Sequence, residues 1–128
     1  MWREDRASAA QQIELLDVGR HDDGRGYART RMQLRRDQVN GHDIAHGGHV
    51  FLLADSTFAL ACNAGGHTTV AAGADISFVA AGRLGDVLVA EATERVLYGR
   101  SGITDVTVRR ESDGAVVAEF RGRSRRIK

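Results

Sequence analysis

The sequence predicts an α+β fold in which an antiparallel sheet curls around one long helix. The run from Val50 to Cys62 is almost wholly apolar and rich in helix-forming residues, which indicates a helix buried on most sides. Segments that alternate apolar and polar residues precede and follow this run, and such alternation is typical of half-buried strands. Asp113-Gly114, between the last two of these segments, is a strong hairpin signal. A sheet wrapped around the central helix is the natural way to bury that helix.

The other elements follow from periodicity along the chain. Ala9, Ile13 and Leu16 lie near helical spacing and predict a short helix over 6–16. Asn, Gly and His residues predict a loop over 37–48, and Asn63, Gly65 and Gly66 are expected to end the central helix. One strand is predicted before the central helix and four after it, over 27–35, 70–80, 86–98, 103–110 and 115–123. Such a sheet has exposed edges, and pairing across one edge would make a dimer.

Length and composition limit the class of protein. The 128 residues suit a single domain, 1–128, and the hydrophobic fraction of 42% and charged fraction of 27% are ordinary for a globular protein. A formal net charge of +1 argues against nucleic acid as a partner. Neither a signal peptide nor a membrane-spanning stretch is recognisable, so we expect a cytoplasmic protein without a membrane partner. Cys62 is the only cysteine, and its apolar surroundings predict a buried, inert thiol.

Asp55 is the residue that most needs an explanation. It is the only charged side chain between His49 and Asn63, and at helical spacing Phe51, Phe58 and Cys62 share its face. An unpaired carboxylate in such surroundings is costly, so the helix is expected to open onto a cleft at this point, where Asp55 would act as a base or nucleophile. The alternative is that Asp55 is the N-cap of a shorter helix that begins at Ser56.

The glycines before the central helix form a second candidate site. Asn40-Gly41-His42-Asp43-Ile44-Ala45-His46-Gly47-Gly48 leads directly into the apolar run. The first N–H groups of a helix are free, and the helix dipole favours negative charge beside them. Glycines at such a place let a ligand approach the backbone, which suits an oxyanion hole.

The run from Asn40 to Asp55 closely resembles the signature of hot-dog thioesterases of the phenylacetic acid degradation (PaaI-like) family. That signature has an Asn, a Gly, His-Gly-Gly and, at a fixed distance, Leu-Ala-Asp, which here are Asn40, Gly41, His46-Gly47-Gly48 and Leu53-Ala54-Asp55. The likeness continues through 61–63, 76–78, 85–86 and 120–127. The resemblance implies a hot-dog fold and hydrolysis of an acyl-CoA thioester, with an aryl-acetyl group such as phenylacetyl or hydroxyphenylacetyl as the acyl part. It implies no metal and no cofactor.

The resemblance also implies roles for individual residues. Asp55 matches the catalytic carboxylate, as nucleophile or as general base, and the N–H of Gly47 matches the group that polarises the thioester carbonyl. Asn40 and His46 match positions that orient water or substrate and support the loop. Residues expected to contact substrate or CoA are Gly48, Arg83, Arg123, Ser124 and Arg126, the last three because the family's final strand ends there.

Helix geometry adds a constraint on this pair of residues. Gly47 and Asp55 are eight residues apart, which on one helix is about 12 Å along the axis. One carbonyl group cannot lie close to both groups of one chain. We therefore expect an obligate homodimer in which each site takes Gly47 from one subunit and Asp55 from the other. The family implies a homotetramer built from two such dimers.

Two features of the sequence depart from the family pattern. Ala80 and Ala81 replace an Arg-Pro or Ser-Pro pair of many relatives, and no hydroxyl side chain lies in 71–73.

Three other functions compete with thioester hydrolysis. His42, His46 and His49 are spaced like metal ligands, although Gly47 and Gly48 interrupt any helix there. A non-catalytic acyl-CoA-binding hot-dog protein is the main alternative. A hot-dog dehydratase would need a histidine motif that this sequence lacks.

Overall fold

The computed structural model describes residues 1–127. Two short 3-10 helices lie at Trp2–Glu4 and Arg36–Gln38. The α-helices and strands, in chain order, are α1 (Arg6–Ala10), β1 (Glu14–Arg20), β2 (Gly26–Gln33), α2 (Gly47–Asn63), β3 (Thr69–Phe78), β4 (Val87–Tyr98), β5 (Ser101–Arg110) and β6 (Val116–Arg126).

All six strands form one antiparallel sheet with the order β1-β2-β4-β5-β6-β3. The long helix α2 packs across the concave face and contacts every strand. Because β1 and β3 are the outermost strands, each leaves one row of backbone groups without a neighbouring strand among residues 1–127. The predicted architecture of an antiparallel sheet around one central helix is confirmed.

The core lies between α2 and the concave face of the sheet. Leu53 and Phe58 on the helix are fully buried, and the inward-facing side chains of the strands meet them, among them Leu88, Ala90, Val106, Val108 and Phe120. Two glycines allow this close approach. A Cβ atom at Gly122 would lie 2.7 Å from the Phe58 ring, and one at Gly26 would overlap the carbonyl oxygen of Ala61. These positions need glycine because helix and sheet are in van der Waals contact there.

The prediction of a helix over 6–16 is wrong in its second half. Helix α1 ends at Ala10, Gln12 takes a positive φ of 56°, and the chain then enters strand β1, which the sequence analysis missed. Ile13 is buried in the core, whereas most side chains of β1 are exposed and the strand carries a bulge between Leu15 and Asp17. The bulge and the exposed edge position break the alternation by which a strand is normally recognised.

The other predicted elements agree with the structure to within a few residues. The central helix spans Gly47–Asn63, so it is three residues longer at its start and one residue longer at its end than predicted. Gly66, three residues after the helix ends, has a φ of 82°. The predicted loop over 37–48 contains part of a 3-10 helix and gives its last two residues to α2. The five predicted strands are confirmed as β2 to β6, and the Asp113-Gly114 hairpin joins the last two.

A search for membrane-spanning segments over residues 1–127 gives none, since no helix there combines the required length with sufficient apolar character.

Candidate active site

Asp55 lies in the middle of α2, on a side of the helix that opens onto a cavity. The helix begins at Gly47 with His46 as its N-cap, so the alternative in which Asp55 caps a shorter helix is wrong. The carboxylate is half-buried and lines a cavity of about 630 Å³. A carboxylate at this position therefore faces a space of the size that small-molecule sites occupy.

Three parts of the chain form the walls of this Asp55 cavity. Helix α2 contributes one wall, the start of β3 contributes a second, and the N-terminal segment before α1 contributes the third. Most of the lining side chains are apolar, and they include Met1, Trp2, Phe58, Ala59, Val70 and Ala71. Three carboxylates, those of Glu4, Asp5 and Asp55, also line the cavity. A mostly apolar cavity with Asp55 on its helical wall suits a substrate with an apolar group next to the reacting bond.

Burial raises the pKa of the Asp55 carboxyl, and the nearby negative charge of Asp5 raises this pKa further. Among residues 1–127, Asp55 has neither a hydrogen-bond partner nor a cation in salt-bridge contact. Its charged form is thus poorly stabilised, which makes the carboxylate a better proton acceptor than an ordinary surface aspartate.

Asp5 belongs to this site, although no sequence pattern predicted it there. Its carboxylate caps α1, because Oδ1 accepts from the Ser8 N–H at 2.9 Å and Oδ2 accepts from the Ser8 hydroxyl at 2.7 Å. The buried Ser8 hydroxyl also shares a hydrogen bond of 2.6 Å with that of Ser56, the residue next to Asp55. Asp is a common N-cap residue and can signal a helix start, but nothing in the sequence brings this start to Asp55, fifty residues away.

Gly47 is the first residue of α2, and its N–H is free. His46 occupies the N-cap, where its Nδ1 accepts from the Gly48 N–H at 3.1 Å. The carbonyl of His46 accepts from the N–H groups of His49 and Val50 at 3.0 and 3.3 Å. Within residues 1–127 no acceptor is left for the Gly47 N–H, so one donor at the positive end of the helix remains available to a ligand.

The loop before α2 is held by Asn40. Its Oδ1 accepts from the N–H groups of His42 and Ile44 at 2.9 and 3.3 Å, and the His46 N–H donates to the carbonyl of Gln38 at 2.8 Å. These bonds fix the chain on both sides of the turn and so fix the direction in which Gly47 presents its N–H.

A single chain does not bring Gly47 and Asp55 together. Gly47 lines a different cavity, of about 380 Å³, together with Phe78, Val79 and Ala80. Asp55 lies two helical turns further on and lines the other cavity, of about 630 Å³. The two groups are thus separated along one helix by about 12 Å, as their spacing predicts.

The residues predicted to contact CoA lie in four different places. Gly48 is exposed at the start of α2, and Arg83 is exposed in a turn where its N–H donates to Asp86 at 2.9 Å. Arg123 forms an ion pair with Asp75 at 3.1 Å. Ser124 and Arg126 line a cavity of about 190 Å³ that also contains Arg20 and Arg100. The chain by itself therefore does not gather these side chains into one site.

Cys62 lines the Asp55 cavity, and its surroundings disfavour the reactive thiolate. Its side chain is 9% exposed, and burial raises the pKa of the thiol to about 12. The thiolate is therefore scarce at neutral pH. The prediction of a buried cysteine is confirmed. Over residues 1–127 there is no group of three or more His, Cys, Asp or Glu side chains placed to hold a metal ion.

The architecture and the placement of Asp55 on the central helix define a hot-dog protein, and comparison with solved structures supports this class. The E. coli PaaI protein of the phenylacetic acid degradation operon superposes with a TM-score of 0.92 at 34% identity, over 100% of this chain and 88% of that chain. A variant of the phenylacetic acid degradation protein PaaI from Thermus thermophilus superposes with a TM-score of 0.87 at 31% identity, over 96% of this chain and 100% of that one.

Sequence comparison identifies the family. The model of the thioesterase superfamily matches residues 42–117. The acyl-coenzyme A thioesterase PaaI of E. coli is 35% identical over 127 residues, which are 99% of this chain and 86% of that protein. The chain belongs to the thioesterase superfamily, and the predicted resemblance to the PaaI-like hot-dog thioesterases is confirmed.

Proposed function

We propose that this protein hydrolyses acyl-CoA thioesters to the free acid and CoA, with aryl-acetyl groups such as phenylacetyl or hydroxyphenylacetyl as the acyl part. The observation that carries the proposal is Asp55, a half-buried carboxylate of raised pKa that faces an apolar cavity from the central helix. The likeness to the E. coli acyl-coenzyme A thioesterase supports the class of substrate.

Each catalytic site is proposed to lie between two subunits. Gly47 and Asp55 line separate cavities of one chain, so a second chain is needed to supply the missing group. The outer edge of β3 supports this assembly, because Val70, Phe78 and Val79 are 45%, 56% and 59% exposed along an edge with few charges. A long apolar edge strand is suited to pairing with another chain. A homodimer with two equivalent sites follows, and two such dimers would make the homotetramer.

In the general-base route, Asp55 removes a proton from water, and the water oxygen attacks the carbonyl carbon of the thioester. The N–H of Gly47 from the partner stabilises the oxyanion that forms, and the C–S bond then breaks to release CoA as its thiolate, which takes up a proton. In the nucleophilic route, an Asp55 oxygen attacks the same carbon and displaces the thiolate, and water hydrolyses the resulting anhydride. Neither route calls for a metal or a cofactor.

The remaining predicted residues have supporting roles in this proposal. Asn40 and His46 hold the loop and the helix start that aim the Gly47 N–H, while Gly48 leaves room for the thioester beside them. The cations Arg83, Arg123 and Arg126, with the Ser124 hydroxyl, are proposed to contact CoA where its phosphates reach the surface. In the assembly these groups would come from both subunits, because one chain keeps them apart.

The proposal is tested by steady-state CoA release from a panel of acyl-CoAs. Asp55→Asn keeps the size and polarity of the side chain but removes the base, so we expect a loss of about 10²-fold or more in kcat. Size-exclusion chromatography and thermal unfolding of the variant check that the fold and assembly persist. A folded variant as active as the parent, or a parent that cleaves no acyl-CoA, would instead favour an acyl-CoA-binding protein without catalysis.

The two routes are separated by a single turnover in isotopically labelled water. The nucleophilic route transfers one labelled oxygen to the Asp55 carboxyl when water attacks the anhydride at the aspartyl carbon, whereas the general-base route leaves Asp55 unlabelled. Mass spectrometry of the peptide that contains Asp55 reads this difference directly.

A further inference from the structure

Trp2 lies between two cavities of the chain. On one side it lines the Asp55 cavity of about 630 Å³. On the other side it lines a second cavity, of about 450 Å³, between β1 and the end of α2, whose apolar lining includes Leu15, Val18 and Leu60. The indole is half-buried and packs against the core. Trp2 thus lies at the boundary between the two spaces, where Met1 and Asn63 also line both.

The segment that carries Trp2 is anchored to α2, the helix that bears Asp55. Asp5 caps α1 through two hydrogen bonds to Ser8, and the buried Ser8 hydroxyl bonds to Ser56 at 2.6 Å. Ile13, just beyond α1, is 6% exposed and belongs to the core. A cap, a buried hydrogen bond and a core side chain thus hold the segment against the helix. These contacts therefore fix the position of the indole relative to α2, the helix that carries Asp55.

We propose that Trp2 closes the far end of the acyl pocket and so sets the length of acyl group that the enzyme accepts. The inference rests on the proposed function, because it assigns the Asp55 cavity to the acyl group of the substrate. A short or aryl-acetyl group fills the space between Asp55 and the indole. A longer straight chain meets the indole and can be accommodated only by displacing it. The second cavity lies beyond this partition and stays unused by the parent protein.

Removal of the partition should therefore lengthen the pocket. In Trp2→Ala the two cavities should join, so that a straight acyl chain extends into the space lined by Leu15 and Leu60. Each additional buried methylene improves affinity by roughly fourfold, from the usual transfer free energy. We expect octanoyl-CoA to bind at least about tenfold more tightly than to the parent, whereas the affinity for butanoyl-CoA changes by less than about threefold. Trp2→Phe keeps an aromatic partition and should retain the parent preference.

Calorimetric titrations test the predicted change in chain-length preference. They use proteins that also carry Asp55→Asn, which prevents turnover. Butanoyl-CoA, octanoyl-CoA and CoA are each titrated into Asp55→Asn alone and into the same protein with Trp2→Ala or Trp2→Phe. A selective gain for octanoyl-CoA in the Trp2→Ala protein supports the partition. Equal changes for both acyl chains in a folded protein, or no binding of any acyl-CoA, would overturn it. If Trp2→Ala does not fold, Trp2→Leu repeats the comparison with a smaller apolar side chain.

The indole supplies a second readout, because Trp2 is the only tryptophan of the chain. In Asp55→Asn its fluorescence should shift when butanoyl-CoA binds and stay unchanged with CoA alone, since only the acyl group reaches the indole. An unchanged emission at saturating butanoyl-CoA would contradict the placement of the acyl group. Turnover by the parent tests the proposed function separately. If the protein binds acyl-CoA with the predicted selectivity but does not cleave it, the role of Trp2 stands and the proposed hydrolysis is refuted.

Discussion

Substitution of Gly47 by proline should remove the proposed oxyanion donor while leaving the helix intact. Gly47 is the first residue of α2, a position where proline is well tolerated. His46 has φ and ψ of −63° and 131°, an extended conformation that a residue before proline adopts readily. The lost N–H makes no hydrogen bond within residues 1–127, so the change costs no internal bond. Loss of one oxyanion-hole donor should lower kcat by about 10²- to 10³-fold.

Gly47→Ala is the matched control, because it adds a Cβ atom but keeps the N–H. That Cβ would lie 3.0 Å from the tip of the Phe78 ring, and the ring belongs to an exposed side chain that can move. We therefore expect Gly47→Ala to lose less than about tenfold in kcat, well short of the donor loss. If proline and alanine reduce kcat equally, the Gly47 N–H does not stabilise the transition state.

Mixed dimers show from which subunit each group comes. In a dimer of one Gly47→Pro chain and one Asp55→Asn chain, a shared site combines either both defects or neither. Random exchange makes half of the dimers mixed, and half of the sites in those are intact, so about one quarter of the parent activity should return. Denaturing and refolding the two inactive variants together, followed by CoA-release assays, measures this recovery. No recovery in a sample shown to contain mixed dimers would refute a site shared between subunits.

Three further outcomes follow from the structure. The raised pKa of Asp55 places the acidic limb of the kcat/KM profile above the ordinary aspartate pKa of 3.8, and Asp5→Asn should move that limb to lower pH because Asp5 contributes to the shift. A raised pKa means that ionised Asp55 destabilises the fold, so Asp55→Asn should raise Tm at pH 7, and the difference should shrink as the pH falls towards 3.8. Gly26→Ala places a Cβ atom against the carbonyl of Ala61 and should prevent folding, whereas the same change at the exposed, open Gly41 should leave Tm within a few degrees, as thermal denaturation would show.

Most of the fold was predictable because several helices and strands show a strong periodicity of apolar residues. The apolar run of α2 and the alternation in β2 and β6 each determine an element from local sequence alone, and the Asp113-Gly114 turn fixes one hairpin. Strand β1 was missed because its side chains are mostly exposed and a bulge shifts its register. Its place in the sheet depends on pairing with β2, which is a contact that no window of sequence contains.

The candidate site was predictable only where its residues are close in sequence. Asp55 is conspicuous as the one charge in an apolar helix, and Gly47 lies in a glycine-rich helix start beside it. Asp5 and Trp2 could not be found in this way, because only the packing of the N-terminal segment on α2 brings them to the Asp55 cavity. Ordinary caps and aromatic side chains of this kind have no motif of their own.

In the proposed dimer, assembly and chemistry would be coupled through Asp55. In the single chain, burial is already the largest cause of its raised pKa. A partner that brings Gly47 to the mouth of the Asp55 cavity would also bring Phe78 and Val79, which lie beside Gly47 in its own cavity. Those apolar side chains would remove further water from the carboxylate, and we expect this desolvation to outweigh the opposing effect of the positive helix end at Gly47, so that the pKa of Asp55 rises again on association. By linkage, protonation of Asp55 should then favour the assembled state, so the subunits of the parent should dissociate more readily at pH 8 than at pH 5, while those of Asp55→Asn should lose this part of the pH dependence. Sedimentation velocity at the two pH values measures the difference, and an identical pH dependence in parent and variant would mean that association leaves the pKa of Asp55 unchanged.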